Sequence, residues 1–68
     1  MLTIKSGDRS LKLTKDEAHK LELKLNVSRY RHAWSHIGDV LYKFSIGAVI
    51  ATITVNEDQF DFLYQLHQ

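Results

Sequence analysis

The chain contains no cysteine and no proline. Without cysteine it can form neither disulfide staples nor thiolate zinc sites, and it has no thiol nucleophile. Without proline it lacks the mark of a recognition-type linker. No long hydrophobic run is present either. The most apolar stretch, Ile46 to Val55, is about half a membrane span and carries threonines. Lys5, Asp8 and Arg9 interrupt the first residues too early for a secretory leader. These absences lead us to expect a cytoplasmic protein that does not enter a membrane.

What is present suits a single folded domain over residues 1–68, with 44% apolar residues and a net charge of only +1. A chain this short buries about 60% of its unfolded surface, so small scaffolds usually recruit disulfides, a metal or a partner. With the first excluded, self-association is the expected support. Charge is unevenly placed: residues 1–36 carry an excess of +4 and residues 37–68 an excess of −3. Such asymmetry suits a basic face for an anionic partner, or complementary faces that meet in a homodimer.

Two copies of a strand-then-helix phrase organise the chain. Leu11-Lys-Leu-Thr14-Lys-Asp-Glu17 and Ile53-Thr-Val-Asn56-Glu-Asp-Gln59 each alternate apolar residues, then place a cap residue and, three positions on, Glu or Gln. That spacing is a capping box, and Leu13 with Ala18 and Val55 with Phe60 have the spacing of a hydrophobic staple. Strands are expected at Leu2–Ser6 and Ser10–Leu13, turned by Gly7-Asp8. A helix from Lys15 to Leu25 follows from composition and cap, with Asn26 as a left-handed C-cap. Leu21, Leu23, Leu25 and Val27 also alternate with the period of a strand, so the two periodicities compete there.

Ser28 has the chemistry to cap a second helix carrying Tyr30, Ala33, Trp34 and Ile37 up to Gly38, either separate from the first or fused to it. Beyond Gly38-Asp39 the period returns to two. Val40, Tyr42, Phe44 and Ile46, then Gly47, then Val49, Ala51, Ile53 and Val55 predict a hairpin, with Ala48 to Val55 central in the sheet. The last helix runs from about Glu57 onward. The expected fold class is α+β: two ββα units sharing a small antiparallel four-stranded sheet, with helices on one face.

Several residue groups could carry function. On the last helix Phe60, Leu63, Tyr64 and His67 cluster, and Phe62 with Leu66 widens the apolar arc to about 200°, twice what packing on one sheet requires. Phe62, Leu66 and Tyr64 are therefore the candidate protein interface, since contiguous exposed apolar surface marks interaction sites. The run Arg29-Tyr-Arg31-His32-Ala-Trp34 interleaves bases with aromatics. With Lys20 and Lys24 it is a candidate nucleic-acid surface, because Lys and Arg neutralise phosphates while rings stack on bases. Against this, Tyr30 and Trp34 share a core-facing helical stripe, which would leave only Arg29 and Arg31 of this run in solvent.

His32 and His36 have the spacing of two imidazoles on one helical face, with Asp39 as a conceivable third ligand. They lack the intervening Glu of the metalloprotease signature, and no metal is expected. Ser45-Ile-Gly47-Ala is not a phosphate loop, and no serine sits in a nucleophile elbow. Asp16-Glu17 and Glu57-Asp58 read as first-turn partners of the helix dipole. We expect a non-enzymatic binding or regulatory module of adaptor or inhibitor type, without cofactor. It would act through protein–protein contacts and self-associate through its last helix; the alternative is a nucleic-acid-binding module using Lys20, Lys24, Arg29 and Arg31.

Overall fold

The computed structural model describes residues 1–48 and 50–68. The elements run β1 (Leu2–Ser6), β2 (Arg9–Leu13), α1 (Lys15–Asn26), α2 (Ser35–Ser45), β3 (Thr52–Thr54) and α3 (Glu57–His67). β1 and β2 form the expected hairpin, with Leu2 opposite Leu13 and Ser6 opposite Arg9. Its two-residue turn places Gly7 at φ +59°, a region glycine enters without steric cost. β3 pairs with the other edge of β1 and runs parallel to it, giving the order β2-β1-β3. A parallel partner requires a long crossover, here supplied by the two helices between β2 and β3.

The class is α+β, but the sheet is three-stranded and mixed, not four-stranded and antiparallel, and the chain is not two ββα units. The difference lies in residues 40–46, expected as a strand: residues 40–45 fold as part of α2 and Ile46 is its C-cap. Alternation of Val40, Tyr42, Phe44 and Ile46 competes with a helical stripe of Ile37, Leu41 and Phe44, and the stripe reaches the core. Gly38, expected to stop a helix, lies inside α2 and faces Leu25 and Asn26 of α1.

Gly47 does not turn a hairpin; it ends α2. With φ at +98°, it donates to the Phe44 carbonyl, and Ala48 donates to that of Lys43. This pair of bonds is the Schellman closure of a helix. The strand expected over Ala48–Val55 contracts to Thr52–Thr54 and occupies an edge of the sheet, not its centre. Val49, expected to alternate within it, lies outside the described residues.

Both capping boxes form. Thr14 accepts from the Glu17 amide and Glu17 accepts from the Thr14 amide; Asn56 and Gln59 repeat the exchange. The staple residues Leu13, Ala18, Val55 and Phe60 are all buried. Over Leu21–Val27 the helix prevails, burying Leu21 and Leu25 and leaving Leu23 51% and Val27 87% exposed. Asn26 remains helical and no residue other than glycine has positive φ among the described residues, so the left-handed C-cap does not occur.

Ser28 closes α1 and caps no second helix. Its hydroxyl donates to the Leu25 carbonyl and accepts from the Tyr30 amide. Residues 29–34 are successive turns, and α2 begins only at Ser35. The helices cover one sheet face. Leu2, Ile4 and Ser6 of β1 are buried beneath them, and α1 packs against both α2 and α3. Thr3, Lys5, Ser10, Lys12, Thr52 and Thr54 line the opposite face.

Candidate functional site

The two surfaces inferred from sequence meet in the fold. Residues 29–34 lie against α3, and their rings cover Phe62. Tyr30 and Trp34 stack with centroids 4.0 Å apart and planes 4° from parallel. Phe62 meets both edge-on, 4.7 Å from Tyr30 and 5.5 Å from Trp34. Such perpendicular contacts set the positive edge of one ring against the negative face of another. The apolar excess at Phe62 is thus largely covered by the chain's own aromatic segment, and all three rings end half-buried.

The three candidate interface residues do not share one face. Phe62 and Leu66 are half-buried on the flank of α3 that faces α1 and the aromatic segment. Tyr64 lies about 200° around the helix from Phe62, on the other flank. It is 43% exposed and stacks on Phe60 at 6.3 Å.

Leu66 lines a cleft of about 210 Å³ between α1 and α3, together with Leu21, Glu17, Lys20, Lys24 and His67. Leu21 is apolar and buried, while the two lysines supply positive charge. Lys24 donates to the Leu66 carbonyl at 2.8 Å, which satisfies an end-of-helix acceptor and sets a cation at the negative end of the α3 dipole.

Glu17 closes the other side of the cleft. One carboxylate oxygen accepts from the Thr14 amide at 2.9 Å; the other lies 3.0 Å from His67 Nε2. The Thr14 amide, followed by His67, holds the Glu17 carboxyl below its ordinary value.

The four bases of the nucleic-acid alternative do not form one patch. Lys20 and Lys24 line the α1–α3 cleft. Arg29 lies with its guanidinium 4.8 Å from the Tyr30 ring and donates to the Tyr30 hydroxyl. Arg31 lies in a different, more open groove between α1 and α2, with Glu22, His32, Asp39 and Tyr42. Tyr30 and Trp34 spend one face each on one another, and Arg29 lies over the Tyr30 ring. The ring faces that would receive bases are therefore partly taken.

His32 and Asp39 line that same groove, but among the described residues no three His, Asp or Glu side chains gather closely enough to hold a metal. Asp39 is paired with Lys43 at 2.9 Å. Asp16-Glu17 and Glu57-Asp58 occupy first helical turns, as their sequence suggested.

No family model matches this chain, and comparison with curated proteins and with solved structures finds no match either.

One residue that sequence reasoning missed is Arg9. It pairs with Asp61 and sets its guanidinium 4.4 Å from the Phe60 ring, joining β2 to α3. The partners are 52 positions apart and belong to no local pattern, so no sequence signal could have found them. Leu23 and Val27 were visible only as a conflict between two periods. Leu23 on α1 and Val27 at its C-cap, both exposed and one turn apart, extend the surface beside Lys20 and Lys24.

Proposed function

We propose that this chain is a non-enzymatic binding module of adaptor or inhibitor type, located in the cytoplasm, that acts through protein–protein contacts on its α1–α3 side. The observation that carries this reading is the outward side of α1 and its C-cap, where exposed Leu23 and Val27 alternate along the chain with Lys20 and Lys24 next to the cleft holding Leu66. Contiguous exposed apolar side chains mark interaction sites, and flanked by two lysines they suit an amphipathic surface for recognition. The complementary partner is a protein segment offering apolar and acidic side chains. α3 contributes Leu66 to this surface, while Phe62 holds the aromatic segment in place behind it. Among the described residues no helix is long and apolar enough to cross a membrane.

The test is capture from native lysate with immobilised wild-type chain and with a Leu23→Asp/Val27→Asp chain, each with and without nuclease. Both substituted positions are exposed, so the variant keeps its helical circular dichroism. A protein retained by the wild type, insensitive to nuclease and lost from the variant, is the expected result. Equal retention by both chains would reject this surface, and retention abolished by nuclease would favour the nucleic-acid alternative.

A further inference from the structure

The two edges of the sheet differ in a way that points to what covers one of them. β2 forms one edge and carries Arg9 and Lys12, charged residues of the kind that keep an exposed strand from pairing with another chain. β3 forms the other edge and has no such protection. No charged residue occurs anywhere between Lys43 and Glu57, and no proline interrupts the segment. Its composition is that of an interior strand, rich in β-branched residues, yet it lies at the margin.

Hydrogen bonding makes the edge specific. The Thr3 amide donates to the Ala51 carbonyl and the Val55 amide donates to the Lys5 carbonyl. Residues 51, 53 and 55 thus direct their main-chain groups at β1, and the alternation of a strand directs those of Thr52 and Thr54 away from it. Among the described residues, no strand lies beyond β3. Next to the start of β3 the surface is mostly apolar: Met1 is 70% exposed and lines a shallow depression with Phe44, Gly47, Ala48, Ile50 and Ala51, where Lys15 is the one charged residue.

We propose that β3 is a self-pairing edge, and that a second copy of this chain joins it antiparallel about a twofold axis at Ile53. The order of strands in the pair becomes β2-β1-β3-β3-β1-β2, which places the uncharged segment at the centre of a continuous sheet. The register satisfies the free groups. Thr52 of one copy faces Thr54 of the other, both with outward N–H and C=O groups, so each pair exchanges two bonds. Ile53 meets its own counterpart on the helix-covered face, alongside buried Ile4. On the open face the two Thr–Thr pairs are a favourable cross-strand combination. A segment without charge meets its own copy without repulsion, whereas it offers a charged strand nothing to pair with. Because β3 is only three residues long, the adjoining apolar surface has to supply much of the burial.

Sedimentation equilibrium tests this with the wild type and two variants, Thr52→Lys/Thr54→Lys and Thr52→Glu/Thr54→Glu. Both threonines are exposed, so each single chain keeps its fold. The wild type is expected at the mass of two chains, and each variant alone at half that mass. An equal mixture of the two variants is expected to return to the doubled mass, because the register sets opposite charges across the axis. A wild type that stays at single-chain mass at hundreds of micromolar overturns the proposal. So does a lysine variant that remains paired, or a mixture that fails to recover. The Leu23→Asp/Val27→Asp chain is expected to pair like the wild type, which separates this edge from the α1–α3 surface.

Discussion

Glu17 and His67 lie 50 positions apart in the chain and 3.0 Å apart in space. The same carboxylate that completes the capping box of α1 therefore receives the last turn of α3. A local device for starting one helix has become a tertiary device for docking another. Leu66, one residue before His67, owes its place in the cleft to this contact and to the bond from Lys24 to its carbonyl.

That double use predicts acid sensitivity. Because the Thr14 amide and His67 depress the Glu17 carboxyl in the folded chain, its ionised form is favoured by folding. The contribution is present above the ordinary value of 4.5 and is lost as pH falls through the depressed one. Thermal unfolding followed from pH 6 to pH 2 is expected to show falling stability. Glu17→Gln keeps the capping side chain but removes the charge, so it should be less stable at pH 6 and show a shallower acid slope. Parallel slopes for the two proteins would contradict this role for Glu17.

Gly38 offers a gain. It lies inside α2, where glycine costs about 1 kcal/mol relative to alanine. A Cβ there would meet Asn26 Oδ1 and Leu25 Cδ2 at 3.8 Å, an ordinary contact distance. Gly38→Ala is expected to stabilise by about 0.5–1 kcal/mol, a rise of several degrees in the melting temperature. A lowered melting temperature would show that α2 needs closer approach to α1 than these distances indicate.

How much of this was legible in the sequence follows from how local each signal is. Both capping boxes and the first hairpin depend on residues within a few positions of one another, and all three formed as read. Residues 40–46 failed because Val40, Tyr42, Phe44 and Ile46 follow a period of two while Ile37, Leu41 and Phe44 form a helical stripe, and only packing on α1 decides between them. Gly47 was visible, but a glycine of positive φ serves a hairpin and a helix end equally well. The candidate site was legible residue by residue and not as an arrangement. The cover of Phe62 by Tyr30 and Trp34 depends on where α3 crosses the segment after α1, which no spacing encodes.

That cover can be read spectroscopically, since Trp34 is the only tryptophan. Phe62→Ala removes the edge-on partner of both stacked rings and opens them to water. We expect Trp34 emission to shift to longer wavelength and stability to fall by about 1–3 kcal/mol, less than for a fully buried phenylalanine. Tyr64→Ala, on the opposite flank, should leave the emission unchanged. An unshifted spectrum in the Phe62 variant would mean that the rings do not depend on α3.

The two caps differ in surroundings, and their costs should differ accordingly. Thr14 is exposed, and its amide remains tied to Glu17 when the hydroxyl is removed, so Thr14→Ala is expected to cost about 0.5–1 kcal/mol. Asn56→Ala removes the acceptor of the Gln59 amide in a partly buried turn between Val55 and Phe60, both in the core, and should cost about 1–2 kcal/mol. Urea unfolding of the single and double variants measures both. Were the helices independent, the double variant would lose the sum to within about 0.5 kcal/mol. The link between Glu17 and His67 joins the start of α1 to the end of α3, while Asn56 acts at the opposite end of α3. Additivity is therefore the expected outcome, and a marked shortfall would mean that α3 responds as a rigid unit from its cap to the cleft.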